Sequence, residues 1–474
     1  MEKYKSLLIN IGLFTLNTLA TKVVTFLLVP FFTYYFSTSE YGISDIGTSI
    51  INVLVPVLTL AANDAVIRFI VDDPKNSEKY VSIGFAITLF GCFVMAVLLP
   101  LLDLSFFGGL GHYKGLYLLY FAGVAFQIYF GYVARGRNLI KLITCISVIS
   151  SLVTVVTAII SVKFCFLRVE GYFLSMIFGN GVAILLYLTW GKLYTQLHIP
   201  FSKANIHYLK KMMVFAIPTI PNLVFWWMGT SINRFFITSM MGVGASGIFA
   251  AVNKIPSLMN ILSNTFWQAW SLSAFKEYRK EGIKSFFSTV FCVFRAFMAM
   301  CGSAIILVTP WLAKFLLQGE FFTSWPLVTV LVLAFYFSVL SGFYETIFTT
   351  SMKTKGIFIS TGIASIVIII FTWLLVPMLG LLGAALAMVS GNFVMFVIRV
   401  FQTQSIMSVQ INWVIEIASI ILLVAQVVVM YMQTSQYMTF SLVIFLIICV
   451  MKLIDVWPFL KLTLGKIAPS SHNW

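Results

Sequence analysis

Residues 357–377 read IFISTGIASIVIIIFTWLLVP, an apolar run without a single charged side chain. A helix of roughly 20 such residues crosses the hydrocarbon core of a bilayer, which is about 30 Å thick. Residues 80–100 form a second uncharged run of the same length. The rest of the chain has the same character: 60% of its 474 residues are hydrophobic, 9% are charged, and the mean hydropathy is +1.01. A soluble domain carries about 25% charged residues, so this chain cannot cover a water-facing surface. It reads as an all-α integral membrane protein.

Fourteen spans can be placed, at 7–30, 43–63, 80–102, 115–134, 140–162, 171–190, 212–238, 245–268, 286–309, 326–348, 357–377, 380–401, 411–432 and 437–455. The excess of Lys and Arg on cytoplasmic segments tests that count. With both termini cytoplasmic, 22 of the 30 basic residues fall on inside segments and 4 on outside loops, Lys114, Lys163, Arg168 and Lys314. A missed span would destroy this alternation. Arg399 and Lys452 are counted here as inside residues. The net charge of +15 is therefore spent on orientation, and nucleic acid is not an expected partner. The first apolar segment lacks a small-residue cleavage site and is expected to stay as span one.

An internal duplication runs through the spans. Gly171 and Gly179-Asn180 in span six match Gly383 and Gly391-Asn392 in span twelve. Phe31-Phe32 matches Phe235-Phe236, and Gly42 matches Gly247. The offsets, 204 to 212 residues, equal about six helices. Two parallel six-helix bundles are expected, at 1–192 and 212–402, with a cytoplasmic linker at 193–211 and two added helices within 411–457. Polar residues recur at helical spacing in paired spans. Thr15, Thr18, Lys22 and Thr25 share a face of span one, matched in span seven by Thr219, Asn222, Trp226 and Gly229. Asp45, Ser49, Asn52, Pro56, Thr59 and Asn63 share a face of span two, matched in span eight by Lys254, Ser257, Asn264 and Gln268. Such residues often hydrogen-bond helices together. Four matched stripes point further, to a shared polar cavity.

Four bases lie inside spans: Lys22, Arg234, Lys254 and Arg295. Each costs about 2.5–3.5 kcal/mol at a helix centre on insertion scales, so each snorkels, pairs or faces water. Acids to pair with them are scarce at depth. Asp45 and Asp64 lie at the ends of span two, Glu345 near the inner end of span ten, and Glu416 near the start of span thirteen. A wet cavity with excess positive charge suits an anion, phosphate or diphosphate above all. Glu345 is expected either to pair with a cavity base or to face Lys353. No G-x-x-x-x-G-K-[ST] loop occurs, no loop is long enough for a catalytic domain, and the four histidines lack ligand spacing. An enzyme is not expected.

The stretches Ser231-Ile-Asn-Arg-Phe-Phe-Ile, Gly247-Ile-Phe-Ala-Ala-Val-Asn-Lys-Ile-Pro256 and Phe266-Trp-Gln-Ala-Trp-Ser-Leu-Ser-Ala274 resemble the polysaccharide-biosynthesis flippases. These are the Wzx-like branch of the multidrug/oligosaccharidyl-lipid/polysaccharide exporter (MOP) superfamily. Ser39-Glu40-Tyr41-Gly42, followed by Asp45, fits as well. The family often carries Asp before the arginine where this chain has Asn233, which leaves Arg234 without an adjacent carboxylate.

The resemblance implies a MATE-like fold and a bacterial cytoplasmic-membrane location. It also implies export of undecaprenyl-diphosphate-linked oligosaccharide repeat units by alternating access through a cationic cavity. Lys22, Arg234, Lys254 and Arg295 would supply the charge, and Thr18, Asn52, Asn63, Asn222, Asn233, Asn264 and Gln268 the polar lining. Asp45 and Glu345 are candidate coupling acids. No cofactor is expected, and energy would come from the membrane potential or from a proton or sodium gradient. The expected partners are the lipid-linked substrate and membrane lipids, with a polysaccharide polymerase and a chain-length regulator downstream. Alternatives are a multidrug or organic-cation antiporter and a peptidoglycan-precursor flippase of the same superfamily, then a membrane glycosyltransferase or polymerase.

Overall fold

The computed structural model describes residue 26 and residues 28–197, 205–277 and 282–464. Thr18, Lys22 and most of span one lie outside the described residues, as does the side chain of Gln268. The chain divides into two compact units at Ala250/Ala251. The first unit holds α1 (Thr38–Leu58), α2 (Ala62–Asp72), α3 (Ser77–Leu98), α4 (Lys114–Gly136), α5 (Ile140–Ala158) and α6 (Val169–Thr189). It continues with α7 (Asn205–Ala216), α8 (Ile220–Met241) and most of α9 (Val243–Val252). The second unit holds α10 (Leu258–Glu277), α11 (Ile283–Leu316), α12 (Pro326–Thr350), α13 (Lys355–Leu379), α14 (Leu381–Gln404), α15 (Trp413–Met432) and α16 (Tyr437–Leu464).

Every regular element among the described residues is helical, as hydrocarbon demands of a backbone that must satisfy its own polar groups. Twelve helices there are long and apolar enough to cross a membrane. They correspond to the expected spans two to seven and nine to fourteen; most of span one lies outside the described residues. Span eight is not one helix: α9 and α10 are separated by a turn over residues 253–257 that contains Pro256. Span two is likewise broken between α1 and α2. Pro56 lies in the last turn of α1, and Leu60 and Ala61 then take left-handed φ values of 51° and 50°. The Ala61 amide reaches back to the Pro56 carbonyl at 2.7 Å, which closes the helix end.

Helix starts carry local signals. Ser37 and Glu40 form a reciprocal capping box at α1, with the Ser37 amide donating to Glu40 Oε2 at 2.7 Å. Asn412 caps α15 through the Ile415 amide. In the second unit α12 is central and mostly buried; in the first, the span that begins with α5 is peripheral and mostly unburied.

The duplicated glycines perform the same task in both places. A Cβ built on Gly179 of α6 would lie 3.2 Å from the Ser150 carbonyl of α5, and one on Gly391 of α14 would lie 2.9 Å from the Ala364 carbonyl of α13. Each glycine thus lets its helix press against the helix before it.

Candidate functional site: a polar stripe on α1 and α8

Helices α1 and α8 of the first unit run antiparallel and share polar contacts. The Trp227 indole N–H donates to the Ser49 carbonyl at 2.7 Å. Four residues toward the start of α1, Asp45 Oδ2 lies 2.8 Å from Arg234 Nε. Arg234 Nη1 also donates to Ser49 Oγ at 2.6 Å and to Ser231 Oγ at 3.4 Å. The two charged side chains are only 18% and 10% exposed. The neutraliser that position 233 does not provide therefore comes from the facing helix. Sequence reasoning had both residues and missed the pairing, because antiparallel register is a tertiary property.

Away from this pair the stripe becomes exposed. Asn52 on α1 and Asn222, Trp226 and Thr230 on α8 are all exposed, the three on α8 recurring every fourth residue toward Arg234. Amides do not face hydrocarbon without partners. An apolar helix that presents them at bilayer depth presents them to water. Asn233 and Asn63 are buried, at 4% and 7%, so they belong to the packing of the unit and not to its water-facing surface.

The start of α1 is closed tightly against α9. A Cβ on Gly42 would collide with the Val243 carbonyl oxygen, and one on Gly247 would collide with the Thr38 carbonyl oxygen. Positions 38 and 243, and positions 42 and 247, are each 205 apart, the repeat offset read in the sequence. The crossing is therefore pseudo-symmetric, each glycine receiving its counterpart's backbone. Beside it Phe106 stacks on Phe235 with ring centroids 5.0 Å apart.

The second unit resolves the remaining charges. Arg295 of α11 is 2% exposed and contacts two carboxylates, Asp455 of α16 through Nη2 and Glu416 of α15 at 3.4 Å from Nε. Lys452 Nζ lies 2.6 Å from Glu416 Oε2, and the Tyr336 hydroxyl donates to Glu416 Oε1 at 2.8 Å. Two bases and two acids thus form a buried cluster with no net charge. Arg295, expected on a cavity, sits in the core of its unit, and the expected scarcity of deep acids is corrected by Asp455 and Glu416.

Lys452, counted in the sequence as a cytoplasmic charge, is fully buried. Arg399, counted the same way, is 3% exposed and ties three helices together. Its Nε donates to Ser360 Oγ at 3.0 Å, and Nη1 to the Ser341 carbonyl at 2.9 Å and Glu345 at 3.1 Å. Nη2 donates to Thr361 Oγ1 at 3.1 Å. Glu345 thus faces Arg399 and not Lys353 as its ion-pair partner. Lys254 is half-buried at the α9–α10 break, and Asn264 is exposed on α10.

Comparison with known proteins follows the same lines. The sequence profile of a family described as polysaccharide biosynthesis protein matches residues 7–271. The fold resembles that of the lipid II flippase MurJ in an inward closed conformation, with a TM-score of 0.71 and 16% identity over 95% of this chain and 99% of that one. It also resembles a multidrug resistance MATE family transporter of the MOP superfamily in its inward-facing conformation. That TM-score is 0.67, with 15% identity over 82% and 94% of the two chains. A MOP superfamily transporter from Pyrococcus furiosus, described as having a binding pocket of reverse polarity, gives 0.63, with 14% identity over 84% and 95%. No curated protein matches the chain. At these identities the likenesses show the fold, and it is the MATE/MOP fold expected from the sequence.

Proposed function

Because this chain belongs to the polysaccharide biosynthesis protein family, whose profile covers more than half of it, we propose that it carries oligosaccharide repeat units linked to undecaprenyl diphosphate from the inner to the outer leaflet of the bacterial cytoplasmic membrane. The observation that supports this reading is the exposed polar stripe on α1 and α8, where Asn52, Asn222 and Thr230 lead to Arg234. A sugar head group needs hydrogen-bonding side chains at bilayer depth, and a diphosphate needs a guanidinium, whose fork matches phosphate oxygens in pairs. Lys22 and Lys254 would add positive charge along the same route. The exported unit would pass to a polymerase and a chain-length regulator.

Export of organic cations is the less favoured alternative. That task calls for carboxylates offered to the substrate, whereas Asp45 is engaged by Arg234 and Glu345 by Arg399. Reconstitution tests the proposal. Vesicles containing the purified chain should translocate a fluorescent undecaprenyl-diphosphate oligosaccharide faster than protein-free vesicles, and Arg234→Gln should slow that transfer. Equal rates with and without protein would refute the reading. Translocation of lipid II in preference to the oligosaccharide lipid would reassign the chain to peptidoglycan precursors.

A further inference from the structure

The first unit carries a second cluster of charge where the last turn of α2, the first turn of α3 and helix α7 meet. Four rings from these three helices pack together there. Phe69 stacks on Tyr80 with centroids 5.1 Å apart, Tyr80 stands edge-on to Tyr208 at 5.3 Å, and Phe69 to Phe215 at 6.1 Å. Three cations lie over this aromatic ledge. Lys211 Nζ is 4.8 Å from the Phe69 centroid, Lys79 Nζ 4.8 Å from that of Tyr208, and the Arg68 guanidinium carbon 4.4 Å from that of Phe215. We infer that the ledge binds the head group of an anionic phospholipid, which Lys79 and Lys211 hold and which joins α7 to α2 and α3. The inference is independent of the transport reading above.

Charge complementarity carries it. Three acids lie in the same segments, and each is engaged by a group other than a lysine. Asp72 pairs with Arg68 at 3.3 Å, Asp73 accepts from the Asn76 amide at 3.0 Å and the Tyr80 hydroxyl at 3.3 Å, and Glu78 accepts from the Gln196 amide at 3.4 Å. Lys75, Lys79, Lys210 and Lys211 are all exposed and form no ion pair among the described residues. Lys79 donates to Asn76 Oδ1 at 3.0 Å and Tyr208 Oη at 3.3 Å, and Lys211 to Tyr80 Oη at 3.5 Å. An ammonium has three N–H groups, so each keeps at least one for a phosphate oxygen. A ring beneath a cation fixes its place without cancelling its charge. Orienting a membrane helix needs only positive charge on one side; it does not call for lysines seated on rings of another helix.

What lies deeper on α7 selects a lipid over a free phosphate. Val214, one turn beyond Lys210 and Lys211 into the apolar segment, is 68% exposed, and Ile217 is exposed after it. Acyl chains would run over this surface below the head group. Lys79 immediately precedes the uncharged run that begins at Tyr80, so its ammonium stands at the level where hydrocarbon gives way to phosphates. Helix α7 ends at Ala216, before a 3-10 turn that contains Pro218. Its place therefore rests on its packing against α2 and α3, which a bound lipid would reinforce.

Native mass spectrometry and thermal unfolding of the full chain test the inference. Protein released from nanodiscs of phosphatidylcholine and phosphatidylglycerol should retain phosphatidylglycerol in preference, and its unfolding temperature should rise as that lipid is added. Lys79→Gln with Lys211→Gln removes both charges and keeps side chains that hydrogen-bond. Retention should then fall several-fold, and most of the rise in unfolding temperature should vanish. Lys79→Arg with Lys211→Arg should preserve both. Lys353→Gln with Lys355→Gln removes the same charge from the second unit and should alter neither. An equal loss in that control pair would overturn the inference, because any surface charge would then serve. So would a parent protein that retains the two lipids alike, a result that requires no variant to fold. Glycerol phosphate that stabilises as well as phosphatidylglycerol would replace the lipid by a free phosphate. Displacement of phosphatidylglycerol by equimolar undecaprenyl diphosphate would replace it by the transported substrate.

Discussion

Arg295, Lys452, Glu416 and Asp455 show what a buried charge does at the scale of one residue. Together they cancel, and each acid is held by at least one base. Removing one member leaves an uncompensated charge in a low-dielectric core, which costs about 3–5 kcal/mol, whereas removing an oppositely charged pair is close to neutral. Arg295→Met should therefore lower the unfolding free energy by that amount, and Arg295→Met with Asp455→Leu should recover most of it. Unfolding in mixed micelles measures both, and equal losses in the single and double variants would contradict the account. Arg399 makes a sharper case, because its three nitrogens donate four hydrogen bonds to two neighbouring helices, α12 and α13. Arg399→Lys keeps the charge but not the fork, and should cost about 2–3 kcal/mol in stranded acceptors. Glu345→Gln should cost less than about 1 kcal/mol, since that carboxylate is 48% exposed. The sequence made these residues visible as charges next to apolar runs. It could not say which of them meet, because Arg295 and Asp455 are 160 positions apart and no local rule connects them. One signal was available in retrospect: Lys452 and Asp455 are three apart and so share a helix face, yet they close an apolar span where a snorkelling reading also applies.

At the scale of elements, the breaks in spans two and eight differ in what a sequence reveals. Pro256 announces the second break, since a proline inside an apolar run removes a backbone hydrogen bond. Pro56 does the same less directly, because the chain actually turns at Leu60 and Ala61, which are ordinary helix formers forced to left-handed φ. That conformation costs roughly 1–2 kcal/mol for a residue with a Cβ and almost nothing for glycine. Ala61→Gly should thus stabilise the protein by about 1 kcal/mol, while Ala65→Gly, one turn into α2, should destabilise it by about 1 kcal/mol. Opposite signs for the same substitution four residues apart would be read directly from thermal unfolding. A loss at both positions would mean that the turn is not strained in solution. The glycine crossing was legible in part: Gly42 and Gly247 stood out as a repeat pair, but that they meet each other could only come from the fold. Gly42→Ala should accordingly prevent full closure of α1 on α9, and a Ser39→Cys/Gly244→Cys pair, placed where a Cβ on Gly244 would lie 3.3 Å from Ser39 Oγ, should then form its disulfide less completely than without that change.

For the whole molecule, the span count and the fold were legible because bilayer thickness and backbone hydrogen bonding leave few solutions. The site was legible as a set of polar stripes, and less so as a set of partners. Asn52 and Asn222 are exposed, Asn63 and Asn233 are buried, and helical periodicity alone does not tell an exposed face from a packed one. Helices α15 and α16, read as additions, are bound into the second unit by its buried charges and by Gln426, which bonds Ser303 and Ser441. Truncation after Gln410 should therefore lose the folded protein, and Arg295→Met should restore part of the yield, as monitored by size-exclusion chromatography. Failure of that rescue would mean that lost apolar contact, not charge, decides the outcome. The same cluster also sets a timetable. Arg295 leaves the ribosome 160 residues before Asp455, and at about 5–20 residues per second that is a delay on the order of ten seconds. During that interval α11 has no carboxylate from α16 to receive its guanidinium. It must wait with Arg295 near the membrane surface or beside the insertion machinery. Helix α16, made later, is then the one that lets an earlier helix settle to its final depth, so membrane insertion here is completed out of chain order.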